Sequence, residues 1–292
     1  MGKVAAIQMT SGHEVADNLA VAARLLREAK EAGAEIACLP ENFCFIGLKD
    51  ADKLRIAEPD GDGPVQSFLS ATARELKMWI LGGTIVLKGD TDNRVANTSL
   101  LIDADGKRVA RYDKIHLFDV TIPGRNEQYL ESRHVMPGKT SVVTDTPVGR
   151  LGMSVCYDMR FPELYRDLVS QGAEWFAMPA AFTVPTGRAH WEALLRARAI
   201  ENLCYVVAPA QWGTHTSGRE TYGDSIIIDY WGQVLSRLAE GTGVITADLD
   251  LAKQHESRLR FPALDNRRLG VVNGGPAGSV HEAIARAVVA TS

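Results

Sequence analysis

The sequence is poor in cysteine and carries no excess of positive charge. Its 292 residues include four cysteines, with no Cys-x-x-Cys pair and no dense disulfide framework. The formal net charge is −4 without a long basic run, which argues against a nucleic-acid partner. No window reaches the roughly 18 uninterrupted apolar residues of a membrane span, and the first residues resemble a strand more than a signal peptide. We therefore expect a cytoplasmic protein without a membrane partner.

Several ligand-binding motifs are also incomplete or missing. The stretch "MPGKTS" (136–141) ends like a phosphate-binding loop, but Arg133 stands where the earlier glycine is needed. "GDGP" lacks the third glycine of a dinucleotide fingerprint, and "GMSVC" lacks the closing glycine of a serine-hydrolase elbow. The seven histidines are scattered and form no His-Glu-x-x-His motif. These absences disfavour nucleotide binding, metal binding and serine catalysis.

What the sequence does contain is a regular alternation of short β-prone runs and amphipathic stretches. "KVAAIQMT" precedes "NLAVAARLLREAKEAG", in which apolar residues recur at helical spacing. The same order returns in "VQSFLSATARELK" before "MWILGGTIVL" and in "HWEALLRARAIEN" before "CYVVAPA". This alternation predicts an α/β fold.

Two internal echoes indicate that the fold consists of two similar halves. "GAEIACLP" (33–40) matches "GAEWFAMP" (172–179), and "SLLIDADGKRVAR" (99–111) matches "SIIIDYWGQVLSR" (225–237). The second pair predicts two β-hairpins that turn at Gly106 and Gly232. We predict a single domain over residues 1–270 and a C-terminal tail over 271–292, which could form a short helix at a subunit interface.

Three reactive side chains follow apolar runs at three separate places. Cys156 ends "LGMSVC", Glu41 follows "IACLP", and Lys114 follows "RVARYD". Because ligand sites form at the carboxyl ends of strands, the three could meet if their strands lie in neighbouring sheets. A thiol with an ordinary pKa needs a base or a cation to act as a nucleophile, and Glu41 and Lys114 could supply both. The alternative is a small core cysteine and two solvated charges.

The surrounding residues resemble a known family. "LPEN", "YDKIHLFD" and "CYDMRFPEL" are similar to the three signatures of the nitrilase superfamily of carbon–nitrogen hydrolases. The resemblance spans roughly residues 3 to 268, and "LLRARAIENLCYVVAPAQWG" is most similar to the Nit1-like branch of deaminated glutathione amidases. It implies a four-layer α-β-β-α sandwich of two pseudo-symmetric halves that assembles as a homodimer or a higher homo-oligomer.

The resemblance also implies catalytic roles and no cofactor. Cys156 would attack the amide carbonyl to form a thioester, and Glu41 would act as the general base and acid. Lys114 and the backbone N–H of Tyr157 would stabilise the oxyanion. Glu131 in "LESRH" matches the family's second glutamate, which would position Lys114 and the substrate. Neither a metal nor an organic cofactor is implied.

Four further residues are candidates for substrate binding. Arg188 follows a Pro/Gly loop and could clamp a substrate carboxylate, although it could equally be solvated. Arg160 could do the same, or could belong to a structural ion-pair network with its acidic neighbours. By resemblance Phe182 and Thr183 would line the pocket, whereas in isolation they would be assigned to loop packing.

The expected substrate is a small amide of a 2-oxo acid, which the resemblance identifies as deaminated glutathione, cleaved to 2-oxoglutarate and cysteinylglycine. An ω-amidase acting on 2-oxoglutaramate is the alternative within the same chemistry, and another carbon–nitrogen hydrolase activity is also open. A catalytically silent binding homologue is the alternative from another class. Asp224 and Tyr230 stand where relatives usually carry histidine and proline, which leaves their effect on the site open.

Overall fold

The computed structural model of the protein describes residues 1–91, 93–122, 124 and 127–269, so the predicted tail over 271–292 lies outside the described residues. The α-helices in the described ranges are α1 (Val15–Glu31), α2 (Pro64–Leu76), α3 (Pro162–Ser170), α4 (Val184–Asn202) and α5 (Leu251–Arg260). Short 3₁₀ turns cover Asp50–Arg55, Glu131–Arg133 and Cys156–Arg160. None of the helices in these ranges has the length and apolarity that crossing a membrane requires.

The strands follow the predicted alternation and fall into two halves of the chain. The first half contains β1 (Gly2–Gln8), β2 (Ile36–Cys38), β3 (Trp79–Leu81), β4 (Ile85–Lys88), β5 (Val95–Ile102), β6 (Arg108–Asp113), β7 (Asp119–Thr121), β8 (Gln128–Leu130) and β9 (Val135–Met136). The second half contains β10 (Val142–Thr146), β11 (Gly149–Met153), β12 (Trp175–Ala177), β13 (Tyr205–Ala208), β14 (Trp212–Thr214), β15 (Glu220–Tyr222), β16 (Ser225–Ile228), β17 (Val234–Leu238) and β18 (Gly243–Leu249).

Two large sheets form the framework. The first has the strand order β18-β1-β2-β3-β5-β4, with β6 and β9 also paired to β5. The second has the order β10-β11-β12-β13-β16-β17. In each sheet three neighbouring strands run parallel, β1-β2-β3 in the first and β11-β12-β13 in the second. The carboxyl ends of each parallel trio therefore lie at one edge of its sheet, where a binding site is expected.

Alternate residues of the first sheet face different layers, because successive side chains of a strand point to opposite faces. In β1, Val4 and Ala6 join the core that is shared with the second sheet. Ala5 and Ile7 pack instead in the core beneath α1 and α2. This explains the unbroken apolar run in the sequence, since a strand that is covered on both faces needs no polar residue.

The second sheet is covered in the same way on its outer face. Helices α3 and α4 pack on it, and Trp191 and Leu195 of α4, which are four residues apart on one face of that helix, are buried against it. The order of layers is therefore helices, first sheet, second sheet, helices. The predicted four-layer α-β-β-α sandwich is confirmed.

The two sequence echoes occupy equivalent positions in the two halves. The hairpins β5–β6 and β16–β17 turn at Gly106 and Gly232, whose φ angles are +80° and +90°. In each turn one aspartate, Asp103 or Asp229, accepts two backbone N–H groups through its Oδ1. The strand register also shifts at the corresponding position of both hairpins. The matching residues therefore specify the same local structure twice.

A close approach of two loops fixes the backbone just before Glu41. Gly83 has a φ of +46°, in the left-handed region that glycine tolerates. A Cβ atom at this position would lie 2.0 Å from the carbonyl oxygen of Pro40, so only glycine fits without a backbone shift. The loop after β3 thereby supports the end of the segment that follows β2.

We predict that Gly83→Ala destabilises the protein by about 2–4 kcal/mol, because it adds a backbone clash to an unfavourable φ angle. Gly61 is the matched control, since its φ is +88° and nothing lies within 4 Å of the position of its Cβ. Gly61→Ala should cost only about 1 kcal/mol. The measurement is chemical denaturation of both variants. Equal losses would contradict the proposed support of the Pro40 carbonyl.

Candidate active site

Cys156 lies just beyond the end of β11, where the chain enters a 3₁₀ turn. Its φ angle is +51°, which is unfavourable for a residue with a side chain by about 1–2 kcal/mol. Its backbone N–H donates to the carbonyl oxygen of Pro179 at 2.9 Å and so fixes the turn against the end of β12. Backbone strain of this kind is concentrated at functional sites, where surrounding contacts maintain it.

Asp158 supplies the contacts that hold this turn. Its carboxylate is fully buried and accepts the N–H of Val155 at 2.8 Å, which closes the turn on itself. It also accepts the Tyr112 hydroxyl at 2.7 Å and the His116 backbone N–H at 3.0 Å, and its Oδ1 lies 2.7 Å from His116 Nδ1. Tyr112 and His116 belong to the segment around Lys114. A single buried carboxylate therefore links the Cys156 turn to the Lys114 segment across the two sheets.

Lys114 follows β6 and is 2% exposed. Its Nζ donates to Glu41 Oε1 and to Glu131 Oε2, both at 2.9 Å. Burial alone would lower the pKa of this amine, but the two carboxylates outweigh burial and hold the pKa well above its usual value. Lys114 is therefore a permanently charged ammonium in the site.

Glu41 is also buried, and every polar atom of its side chain is engaged. Oε1 accepts Lys114 Nζ and, at 3.1 Å, the side-chain amide of Asn97. Oε2 accepts the backbone N–H of Ala181 at 3.0 Å. The negative charge of the carboxylate also acts on the nearby thiol of Cys156 and raises its pKa. Glu41 is therefore oriented by three donors with its carboxylate against the sulfur.

Glu131 completes the group as the second carboxylate that accepts Lys114. It opens the 3₁₀ turn after β8, and its Oε2 also accepts the N–H of Phe118 at 2.7 Å. Burial alone would raise its pKa, but the positive charges of Lys114 and Lys53 lower it. Asn97 donates to Oε1 of Glu131 at 3.2 Å as well as to Glu41, so one amide links both carboxylates.

The thiol of Cys156 has a pKa well above its usual value. Burial is the main cause, and the negative charge of Glu41 raises the pKa further, while Lys114 opposes both effects. The resting sulfur is therefore a protonated thiol beside a carboxylate. This arrangement suits proton transfer from the thiol to Glu41 during attack, rather than a preformed thiolate.

Two donors lie close to the sulfur of Cys156. The N–H of Tyr157 is in the first turn of the 3₁₀ segment, where backbone donors have no partner within the turn. Among the residues that the structure describes, no acceptor takes this N–H. Lys114 Nζ is the second donor, and its charge lies close enough to Cys156 to affect the pKa of the sulfur.

These side chains line a cavity of about 610 Å³. Its wall includes Glu41, Lys114, Glu131, Cys156 and Tyr157, and also the predicted substrate-binding residues Phe182 and Thr183. The structure therefore brings seven of the nine sequence-predicted site residues together in one cavity.

The two predicted arginine clamps lie outside this cavity. Arg188 is an exposed residue on the surface of α4, because that helix already begins at Val184 and includes the segment that the sequence suggested as a loop. Proline is tolerated in a first helical turn, and Gly187 packs directly against Tyr222. The interpretation of a Pro/Gly loop before Arg188 was therefore wrong.

Arg160 is also absent from the cavity wall. Its guanidinium lies over the rings of Tyr157 and Phe182, at 5.7 and 5.5 Å from their centres, and both its terminal nitrogens are 3.3 Å from His190 Nδ1. Within the described ranges it forms no ion pair with a carboxylate, and Asp158 is directed elsewhere. The alternative of an ion-pair network around Arg160 is therefore not observed.

Sequence reasoning missed several polar residues of the cavity wall, three of which contact or act on the site residues. Asn97, Lys53 and Arg219 all line it. Asn97 lies in the strand run "VANTSLLI", and Arg219 lies in the polar turn "HTSGRE", neither of which carries a motif signal. Only the pairing of distant elements in the fold identifies them.

The other three cysteines are buried and outside the cavity wall. Burial raises the pKa of Cys44 to about 12 and that of Cys204 to about 11, and it raises the pKa of Cys38 further. Of the four cysteines, Cys156 is the one that shares the cavity wall with the Glu41 carboxylate.

The two departures from the family pattern have structural partners. Asp224 receives a two-point ion pair from Arg237, with Nη2 at 2.8 Å from Oδ2, and its carbonyl accepts the indole N–H of Trp191. The ring of Tyr230 packs on Tyr205 with 5.3 Å between centres. Neither Asp224 nor Tyr230 lines the cavity.

We predict that iodoacetamide alkylates Cys156 before the other cysteines, with a rate that rises at alkaline pH because the pKa of this thiol is raised. In Glu41→Gln the rate should rise at lower pH, since the negative charge beside the sulfur is removed while the Lys114 ammonium stays. The measurement is the alkylation rate of each cysteine against pH, by peptide mass spectrometry. Cys38 and Cys204 serve as internal controls, and an unchanged or higher midpoint in Glu41→Gln would contradict the electrostatic account.

Comparisons with known sequences agree with this geometry. The sequence model of the carbon-nitrogen hydrolase family matches residues 3–258. A protein described as "Deaminated glutathione amidase" from Synechocystis sp. is 43% identical over 267 residues, which cover 90% of this chain and 97% of that relative. The human protein of the same description is 42% identical over 269 residues, which cover 91% of this chain and 82% of the relative.

Solved structures show the same fold. The Caenorhabditis elegans NitFhit protein superposes with a TM-score of 0.86 at 40% identity, over 91% of this chain and 65% of that longer chain. Saccharomyces cerevisiae Nit3, a member of branch 10 of the nitrilase superfamily, superposes with a TM-score of 0.82 at 31% identity, over 92% and 97% of the two chains. The match over most of the sequence, together with these relatives, shows that the chain belongs to the carbon–nitrogen hydrolase family of the nitrilase superfamily.

Proposed function

We propose that the protein hydrolyses the amide bond of deaminated glutathione through a thioester on Cys156. The observation that carries this proposal is the cavity wall that the buried Cys156 thiol shares with the Glu41 carboxylate and the charged Lys114, which are 2.9 Å apart. The substrate assignment rests on the relatives described as deaminated glutathione amidases. The products would be 2-oxoglutarate and cysteinylglycine.

In the first half of the reaction Cys156 is the nucleophile and Glu41 is the general base. The thiol proton moves to Glu41 as the sulfur–carbon bond forms, which gives a tetrahedral oxyanion. Glu41 then returns this proton to the amide nitrogen, the carbon–nitrogen bond breaks, and cysteinylglycine leaves. The 2-oxoglutaryl group remains on the sulfur as a thioester.

In the second half a water molecule replaces the leaving group. Glu41 accepts a proton from this water as the oxygen attacks the thioester, and a second tetrahedral oxyanion forms. When the carbon–sulfur bond breaks, the proton passes from Glu41 to the sulfur and restores the thiol. Glu41 thus accepts and returns one proton in each half of the reaction.

Lys114 and the N–H of Tyr157 stabilise both oxyanions. A single donor of this kind is typically worth about 3–4 kcal/mol of the barrier. The raised pKa of Lys114 supports the role, because the group stays an ammonium through the neutral range. Glu131 acts through Lys114, whose position it helps to hold with a hydrogen bond of 2.9 Å. Phe182 and Thr183 form part of the substrate wall.

The oligomeric state and the cellular location of the protein are predictions. We infer a homodimer or higher homo-oligomer and a cytoplasmic location from the sequence and the family resemblance. A single catalytic domain over residues 1–270 completes this description of the protein.

We predict that the wild-type protein releases 2-oxoglutarate faster from deaminated glutathione than from 2-oxoglutaramate at equal low concentrations. Cys156→Ala should release none, since it lacks the nucleophile but removes only one sulfur atom from the wall. The measurement is a coupled assay for 2-oxoglutarate, with thermal melting to show that the variant is folded. A preference for 2-oxoglutaramate would assign the protein as an ω-amidase. Full activity of Cys156→Ala would contradict the mechanism.

A further inference from the structure

The cavity contains one fixed cation that the proposed reaction does not use. Besides Lys114, the basic side chains that line it are those of Lys49, Lys53, His134 and Arg219. Lys49 is exposed to solvent, and the charge of Lys53 acts on Glu131. Arg219 differs from them because its guanidinium donates to Ala181, the residue whose N–H contacts Glu41.

Two contacts hold the guanidinium of Arg219. Nη2 donates to the carbonyl oxygen of Ala181 at 2.9 Å, and the group lies over the ring of Tyr129 at 5.5 Å from its centre. Nε is buried and has no acceptor among the described residues. Within these ranges no carboxylate forms an ion pair with Arg219, and Ala181 O is the one acceptor that its guanidinium uses. A guanidinium has five N–H donors, and those of Nη1 have no acceptor within these ranges, so they can meet a ligand in the cavity.

The backbone that carries Arg219 is also held firmly. Arg219 precedes β15, and its carbonyl accepts the N–H of His215 at 2.8 Å. The buried imidazole of His215 lies 2.8 Å from Ser11 O and 2.7 Å from Thr221 Oγ1. Burial and the nearby charge of Arg219 lower the pKa of His215, so this support stays neutral. Tyr222 N–H also donates to Phe182 O, which joins β15 to the cavity wall.

Ala181 connects this cation to the reacting atoms. Its carbonyl accepts Arg219, while its N–H donates to Glu41 Oε2 and also lowers the pKa of the nearby Cys156 thiol. The guanidinium is therefore separated from the base and the nucleophile by one residue. In a 2-oxoglutaryl amide only four bonds separate the scissile carbon from the carboxylate carbon, a span comparable to one residue of extended chain.

We propose that Arg219 binds a carboxylate of the substrate and so determines which amides fit the site. The inference rests on the proposed function and deepens it. A half-buried arginine without an acidic partner matches a carboxylate in charge and in its two-point geometry. Deaminated glutathione has two such groups, one on the 2-oxoacyl half and one on the glycine of the leaving half. Arg219 replaces Arg188 and Arg160, which lie outside the cavity wall, as the clamp.

The test measures binding in the Cys156→Ala background, so that it does not depend on turnover. Calorimetry gives the Kd of 2-oxoglutarate, of cysteinylglycine and of intact deaminated glutathione. Arg219→Met should raise the Kd of deaminated glutathione by about tenfold to a hundredfold, as expected for the loss of a charged hydrogen bond. The Kd of the product whose carboxylate Arg219 binds should rise by the same factor. Arg219→Lys keeps the positive charge but loses the two-point geometry of the guanidinium, so its Kd values should lie between those of the parent and those of Arg219→Met. Arg74→Met, at an exposed site on α2, is the matched control and should change no Kd.

Three outcomes would overturn the inference. The first is that the Kd values for Arg219→Met are within twofold of those of the Cys156→Ala parent protein. The second is that Arg188→Met weakens binding instead of Arg219→Met. The third is that none of the three compounds binds to the Cys156→Ala parent. Failure of the proposed function is a separate result, since it would be a wild-type protein that releases no 2-oxoglutarate from deaminated glutathione. With the nucleophile present, Arg219→Met should raise KM much more than it lowers kcat, because the contact is made equally in the ground and transition states.

Discussion

The site depends on one buried ammonium that is held between two carboxylates. Lys114 is 2.9 Å from both Glu41 and Glu131, and all three groups are shielded from water. An unpaired charge in such a place would be very costly, and removing one partner of a buried ion pair typically destabilises a protein by about 3–5 kcal/mol. The pairing therefore stabilises charged groups at a place where chemistry needs them. The same pairing leaves one carboxylate, Glu41, with its remaining face against the sulfur of Cys156.

The architecture explains how groups from distant parts of the sequence reach this ammonium. Glu41, Lys114 and Cys156 each follow a strand, and the two sheets place these strand ends together. Asp158 reinforces the arrangement because its buried carboxylate joins the Cys156 turn to Tyr112 and His116. The strained φ angle of Cys156 is thus maintained by contacts from both sheets.

The sequence predicted those parts of the fold well that depend only on neighbouring residues in the chain. The echoing hairpins, with their glycine turns, matched in structure down to the position of the register shift, because aspartate and glycine specify such turns locally. It predicted Arg188 poorly, because Pro185 and Gly187 suggested a loop, whereas a proline also fits the first turn of a helix. Arg219 and Asn97 carry no local signal at all. Their contacts exist only after β15, β5 and the loop at Ala181 have assembled, so an isolated sequence could not single them out.

The central claim is that Glu41 drives attack by Cys156 to form a covalent acyl-enzyme. The most direct measurement is intact-protein mass spectrometry after rapid acid quenching of the wild-type protein with deaminated glutathione. The account predicts a transient mass increase of one 2-oxoglutaryl group on Cys156, which is absent in both Cys156→Ala and Glu41→Gln. Release of 2-oxoglutarate with no such adduct, or with the adduct on another residue, would contradict it.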